Sequence, residues 1–318
     1  MGDANMNYLE GTYSDLVKKL YDQNLYSLLS YEEKEKIENL LIGMVSSVSQ
    51  VYEKKVGKNA YCGVELKFSD EVKFSIKSSL LQNEKYRGRI TCTRLSVIAM
   101  YEMFYGMNYD EIIIAGKNVE NIKKILFMHA LCCMMWHEIA HIYKGHLQLL
   151  DTWEKEGTRK QHRLDLQTLE WDADAFAATR EAEVIKMYRN EILPNDKTDF
   201  ATKIICGAIH GMTYWQRTSE DFEEMETKEH PPYLFREAAI LSGISELLGN
   251  KEDILQYIVG YENAFNRVLN VPNELVMKYF DEAVQEKNYL SSISGRWDEL
   301  KKELMKYSLF PLEDIESL

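Results

Sequence analysis

One short stretch constrains this chain more than any other. The most apolar run, Ile125 to Trp136, leads directly into His137-Glu138-Ile139-Ala140-His141. Three ionisable side chains thus continue a segment that reads as a buried helix, where bare polar groups are costly without partners. Histidines at i and i+4 share one helix face, one turn apart, so both can aim a ring nitrogen at a single cation. Zinc accepts neutral imidazole readily. Glu138 points to the side of that face, where it reaches a water in an open coordination position rather than the metal itself. The fold must build around this helix, and another element must bring the missing partners to it.

The segment Leu169-Glu170-Trp171-Asp172-Ala173-Asp174-Ala175-Phe176-Ala177 offers those partners. A helix, a loop and an antiparallel helix would return Glu170 beside the two histidines as third ligand. Asp174, one turn further on the same face, would accept the other ring N–H of a ligand histidine and set its orientation. Ala173 and Ala177 are small enough to let the helices approach. Taken alone, Glu170 and Asp174 would read as a solvated helix face; beside the two-histidine motif they read as ligand and support. His146 stands five residues after His141, directly after Gly145. That spacing is one short of the third ligand of a metzincin, so His146 is expected to pack or cap near the site rather than to bind metal.

The string HEIAHIYKGHL…EWDADAFA resembles the gluzincin metallopeptidases, in which a glutamate is the third ligand and an aspartate or asparagine follows four residues later. It is similar to the ImmA/IrrE-type peptidases and to the Lit-type phage-exclusion peptidases, although Ala178-Thr179-Arg180 stands where the ImmA/IrrE pattern continues into Leu-Met-Pro. His230-Pro231-Pro232 with Arg236 resembles the His-Pro…Arg element of HtpX-like peptidases. The resemblance covers residues 125–180 and, more thinly, 230–240. It implies a zincin-like (minigluzincin) core, a Zn2+ cofactor and a specific protein substrate in stress response or phage defence.

The parts imply a mechanism of water activation by Glu138, with the proton passed on to the leaving nitrogen. The developing oxyanion needs a further donor. His230 is the first candidate, because the proline pair after it can fix a turn and start a helix; His210 and Tyr214 are the runners-up. A β-hairpin at 64–76 would supply an edge strand for an extended substrate, or else a structural lid over the core.

Composition narrows the field. The chain has 318 residues with a formal net charge of −13. No Lys/Arg cluster marks a phosphate-binding face, so nucleic acid is not an expected partner. The N-terminus lacks a charged start with an apolar run, and the apolar run at 125–136 falls short of the about 20 residues of a membrane span. No membrane association is expected. Five cysteines without Cys-x-x-Cys spacing suggest reduced thiols and a cytoplasmic location; Cys132-Cys133 reads as core filler.

Periodicity predicts an α+β, mostly α, chain. Ser30 and Glu33 form a capping box for a helix over 31–55. Strands are expected at 64–68 and 72–76 around a turn at 69–71, with a third beginning at 90–92 and a further one at 110–115. Helices are expected at 94–105, 118–149, 164–189, 198–217, 232–248, 251–269, 272–288 and 295–308. A polar loop is expected at 151–162. An acidic stretch at 220–229 reads as a solvated loop, or as a rim attracting basic substrate segments. Three segments result, which one continuous globule would accommodate: 1–115 with helices and a small sheet, 116–250 with the metal-binding core, and 251–318 as a helical extension. The expected function is zinc-dependent hydrolysis of peptide bonds in an intracellular protein, restrained by narrow specificity or a regulatory partner. The alternatives are a non-proteolytic zinc-binding regulatory protein and a hydrolase of non-peptide amides.

Overall fold

The structure is a computed structural model describing residues 13–22, 29–56, 62–81, 86–106, 119–188, 200–213, 230–231, 233–264 and 287–308. At its centre lies α4 (Val119–Tyr143), the helix that carries the histidine motif. Leu126, Phe127, Ala130, Leu131, Met134, Met135, Ile139 and Tyr143 are all buried. The helix is apolar on nearly every side because neighbours cover nearly every side. α6 (Arg163–Met187) and α7 (Phe200–Thr213) pack against it, as do α3 (Arg94–Gly106) and two strands. Among the described residues, Ile122–Tyr143 is the one helical stretch long and apolar enough to cross a membrane, and 67% of its most apolar window is buried inside the protein.

The sheet has three strands, β1 (Cys62–Ser69), β2 (Ile76–Leu80) and β3 (Tyr86–Thr93), in the order β1-β3-β2. β1 runs parallel to β3, with Leu66 opposite Ile90, and β2 runs antiparallel to β3, with Ile76 opposite Cys92. This corrects the expected hairpin between residues 64–68 and 72–76. The stretch 70–75 is a crossover rather than a tight turn: Thr93 donates from its N–H to Ser75 O and from its hydroxyl to Lys73 O, so the chain passes the end of β3 before pairing. The hairpin is β2–β3, and β2 is left as an edge strand leaning on α4.

The helices before the sheet are α1 (Tyr13–Asp22) and α2 (Tyr31–Val56). α2 begins at the expected capping box, Ser30 N donating to Glu33 Oε2 and Glu33 N to Ser30 Oγ. The single helix expected over 118–149 is two. Gly145 sits at φ 86°, a left-handed conformation that other residues adopt at a cost, and the chain turns there into α5 (His146–Glu156). A Cβ at Gly145 would lie 2.7 Å from Ser308 N, so the turn is also pinned sterically. α5 occupies much of the stretch expected as a polar loop, ending at Gly157 before a short 3-10 turn, Arg159–Gln161.

α8 (Tyr233–Leu248), α9 (Lys251–Asn263) and α10 (Lys287–Leu304) complete the described chain. α8 lies on α6, α9 on α7, and α10 on the N-terminal half of α6. One apolar core joins residues from Leu16 to Ala264, so it runs through the first two expected segments and into the third; a second gathers Leu149, Trp153, Leu166, Phe176, Leu300 and Leu304. The strand expected at 110–115, residues 272–286 of the helix expected at 272–288 and the acidic stretch at 220–229 lie outside the described residues. The architecture is mostly helical with a small sheet.

Candidate metal centre

α4 and α6 lie side by side with buried Ala173 and Ala177 along α6. This brings the second turn of α6 to the histidine face of α4. His137 Nε2 and His141 Nε2 are 3.1 Å apart. Glu170 Oε2 is 3.3 Å from His137 Nε2, and Oε1 is 3.4 Å from His141 Nε2. Among the described residues these three form the one group of His, Cys, Asp or Glu side chains close enough to hold a metal ion. The spacings test the fit. Ligands about 2.0–2.1 Å from a tetrahedral ion lie about 3.3–3.4 Å from one another. The pairwise spacings fall near that range, the two contacts to Glu170 being made by its two different carboxylate oxygens.

The outer nitrogens of both histidines face polar side chains. His137 Nδ1 is 2.9 Å from Asp174 Oδ1, close but poorly aligned. Asp174 is held in turn by Arg236 of α8, whose Nε donates to Oδ2 at 2.7 Å and whose second nitrogen donates to Oδ1 at 2.8 Å. His141 Nδ1 faces His146 Nδ1 at 3.0 Å. His146 is fully buried at the start of α5 and turns its ring away from the three-donor face.

Burial and charge set the protonation of the metal-free cluster. Burial works to lower His137, but the carboxylates of Asp174 and Glu170 outweigh it and raise the ring to about 10. Burial holds His141 down to about 3 and keeps His146 low, so these rings are neutral. Burial would raise Glu170, yet the facing imidazoles His230, His141 and His137 hold it well below the usual carboxylate range. Metal binding here must displace a proton from His137, since a ligand nitrogen has to be bare.

Glu138 is buried beside this face. Burial raises its carboxyl, while the hydroxyl and backbone N–H of Ser78 on β2 hydrogen-bond to it. A cleft of about 250 Å³ opens onto the cluster, its lining including Phe74, Ser75, Ile76, His230 and Arg236. His230 stands at its mouth, 60% exposed, with Nδ1 2.9 Å from Glu170 Oε2.

No family model matches the chain, nor does any curated protein or solved structure.

The geometry therefore carries the functional reading by itself. The structure brings together His137, Glu138, His141, Glu170, Asp174 and His230 around one cleft. It does not bring His210 there. That ring is fully buried in the α7–α9 packing, where Nδ1 meets the Tyr257 hydroxyl at 3.1 Å. Tyr214 lies outside the described residues. Cys132 and Cys133 have thiols pushed well up by burial, as core residues do, although Cys133 also lines the cleft.

Sequence reasoning missed Ser78, Asp172 and Lys144. Asp172 accepts from Lys144 Nζ at 2.7 Å, and its other oxygen is 3.2 Å from His146 Nε2. A faint signal existed. Asp172 lies two residues from both Glu170 and Asp174, on the opposite side of α6, in a stretch otherwise made of aromatic residues and alanine.

Proposed function

We propose that the chain is a zinc-dependent endopeptidase with a zincin-like, minigluzincin core, cutting a protein or peptide substrate in the cytoplasm. The observation that carries this reading is the convergence of His137, His141 and Glu170, the two imidazole nitrogens 3.1 Å apart and a different Glu170 oxygen 3.3–3.4 Å from each, with a carboxylate, Glu138, beside them. The set is two imidazoles and one carboxylate, which suits zinc and leaves a coordination position open. Zinc bound there would supply Lewis acidity toward a peptide carbonyl and lower the pKa of a water.

The protein's own groups do the rest. Asp174 and His146 orient the two imidazoles. Glu138, whose carboxyl is raised by burial, takes the proton of the attacking water and returns it to the leaving nitrogen. His230 lines the same cleft and offers an N–H to the oxygen on which charge develops. β2 is an edge strand whose start, Ile76, lines the cleft, so an extended peptide can add to it by main-chain bonds.

The test is Glu138→Gln. The variant is expected to keep stoichiometric zinc and to lose cleavage of cellular proteins, read by mapping of new protein termini, with a fall of about 10²–10⁴-fold. Cleavage at the wild-type rate would refute the mechanism. Zinc binding without any wild-type cleavage would favour the regulatory reading instead.

A further inference from the structure

Behind the metal-facing histidines runs a chain of buried polar groups that leads away from the cleft. His141 Nδ1 meets His146 Nδ1 at 3.0 Å. His146 Nε2 sits 3.2 Å from Asp172 Oδ2, near but off the line of a straight hydrogen bond. Asp172 Oδ1 accepts from Lys144 Nζ at 2.7 Å. Every member is buried, and Lys144 is only 2% exposed. Its ammonium lies 5.5 Å from the Phe176 ring and 5.4 Å from the Trp297 ring of α10. Burying four such groups is expensive unless their contacts are fixed, so the arrangement calls for a purpose.

Donor and acceptor logic supplies one. Lys144 is a donor only, and the ionised Asp172 is an acceptor only. The atom of His146 that faces Asp172 must then carry the proton. A neutral imidazole protonated at Nε2 has its lone pair at Nδ1, and that atom faces His141. His141 must therefore donate from Nδ1, which leaves its lone pair on Nε2, the nitrogen that faces His137 and Glu170.

We infer that Lys144, Asp172 and His146 are positioning residues that lock His141 in the tautomer and orientation able to bind metal, with α10 sealing the relay through Trp297. The inference rests on the metal-site reading above. It extends the site to a cation three contacts removed from the ligand and gives the helix α10 a part in holding it. The Gly145 turn serves the same end: it seats His146 at the first position of α5, and the backbone of Tyr307 and Ser308 packs against it.

The relay has a consequence that a purely structural ion pair lacks. In Asp172→Asn the amide oxygen stays with Lys144, so the amide nitrogen faces His146 and donates to it. His146 then carries its proton at Nδ1, His141 must accept there, and the proton moves to His141 Nε2, where it blocks the metal. Adding Lys144→Met frees the amide to turn its oxygen toward His146 and restores the original tautomer. Zinc affinity of the full chain is measured by chelator competition, with the Co2+ absorption spectrum reporting ligand geometry and metal-free thermal unfolding reporting the fold.

Asp172→Asn and His146→Leu are expected to bind zinc about 10–100-fold more weakly than wild type. The Lys144→Met/Asp172→Asn pair is expected to recover to within a few-fold, with a wild-type Co2+ spectrum. Wild-type affinity in both Asp172→Asn and His146→Leu would overturn the relay while leaving the metal site standing. So would a double variant no better than Asp172→Asn. A wild-type protein without stoichiometric metal would overturn the site itself.

Discussion

His230 shows how much one residue's neighbours decide. Its Nδ1 rests against Glu170 while the rest of the ring reaches solvent. If it serves the developing oxyanion, His230→Ala should lower kcat by about 10²–10³-fold with KM and zinc content unchanged, as for other oxyanion donors. If its work is only to steady Glu170, zinc content should fall instead, so metal analysis of the same variant separates the two roles. The residues legible in advance were those tied by local spacing. His137 and His141 at i and i+4, and Glu170 and Asp174 at i and i+4, announce shared faces before any tertiary contact is known. Asp172 and Lys144 stayed hidden because their meaning lies in a contact between α6 and the turn after α4, which no periodicity encodes.

At the scale of elements, α8 is held in place by close approach. A Cβ on Gly243 would lie 2.4 Å from Ala175 O of α6. Gly243→Ala should therefore push α8 off α6, destabilise the protein by about 1–3 kcal/mol as overpacking does, and loosen the Arg236 grip on Asp174. Thermal unfolding and zinc affinity would both register the change. α8 also carries Glu237, which burial pushes up to about 7 against the pull of Tyr261 on α9. A carboxyl whose folded pKa is raised binds its proton more tightly when folded, so stability falls as pH rises from about 4.5 to about 7. The loss is at most roughly 3 kcal/mol. Glu237→Gln should flatten that part of the stability–pH profile, which chemical denaturation at several pH values would show; an unchanged slope would contradict the assignment.

Strand order was the element-scale feature that the sequence pattern did not reveal. Alternation at 64–68 and 72–76 is real, but alternation marks faces and not partners. The six residues between β1 and β2 suffice to cross the end of β3, and only the bonds from Thr93 to Ser75 and Lys73 show that they do. The break in the motif helix was partly visible in Gly145, yet glycine alone does not say whether a helix kinks, ends or continues.

For the whole molecule, the cleft lies where three bodies meet: the α4–α6 pair, the edge of the sheet and the start of α8. A mostly helical composition could be read from the scarcity of proline and glycine. The joining of α1, α2, the sheet and α3 to the metal helices in one core was left open by the sequence, since it depends on which apolar faces find one another. A metal that binds only the folded chain stabilises it, by about 2.7 kcal/mol at a free concentration one hundred times Kd. Removing zinc with a chelator should then lower Tm by several degrees, and readdition should restore it.

The most direct measurement is metal content per chain, by elemental analysis of the purified protein and of Glu170→Ala. One zinc per wild-type chain, largely lost in the variant, is the predicted result. A wild-type protein without stoichiometric zinc, or a variant that holds it as tightly as wild type, would contradict the metal centre described here.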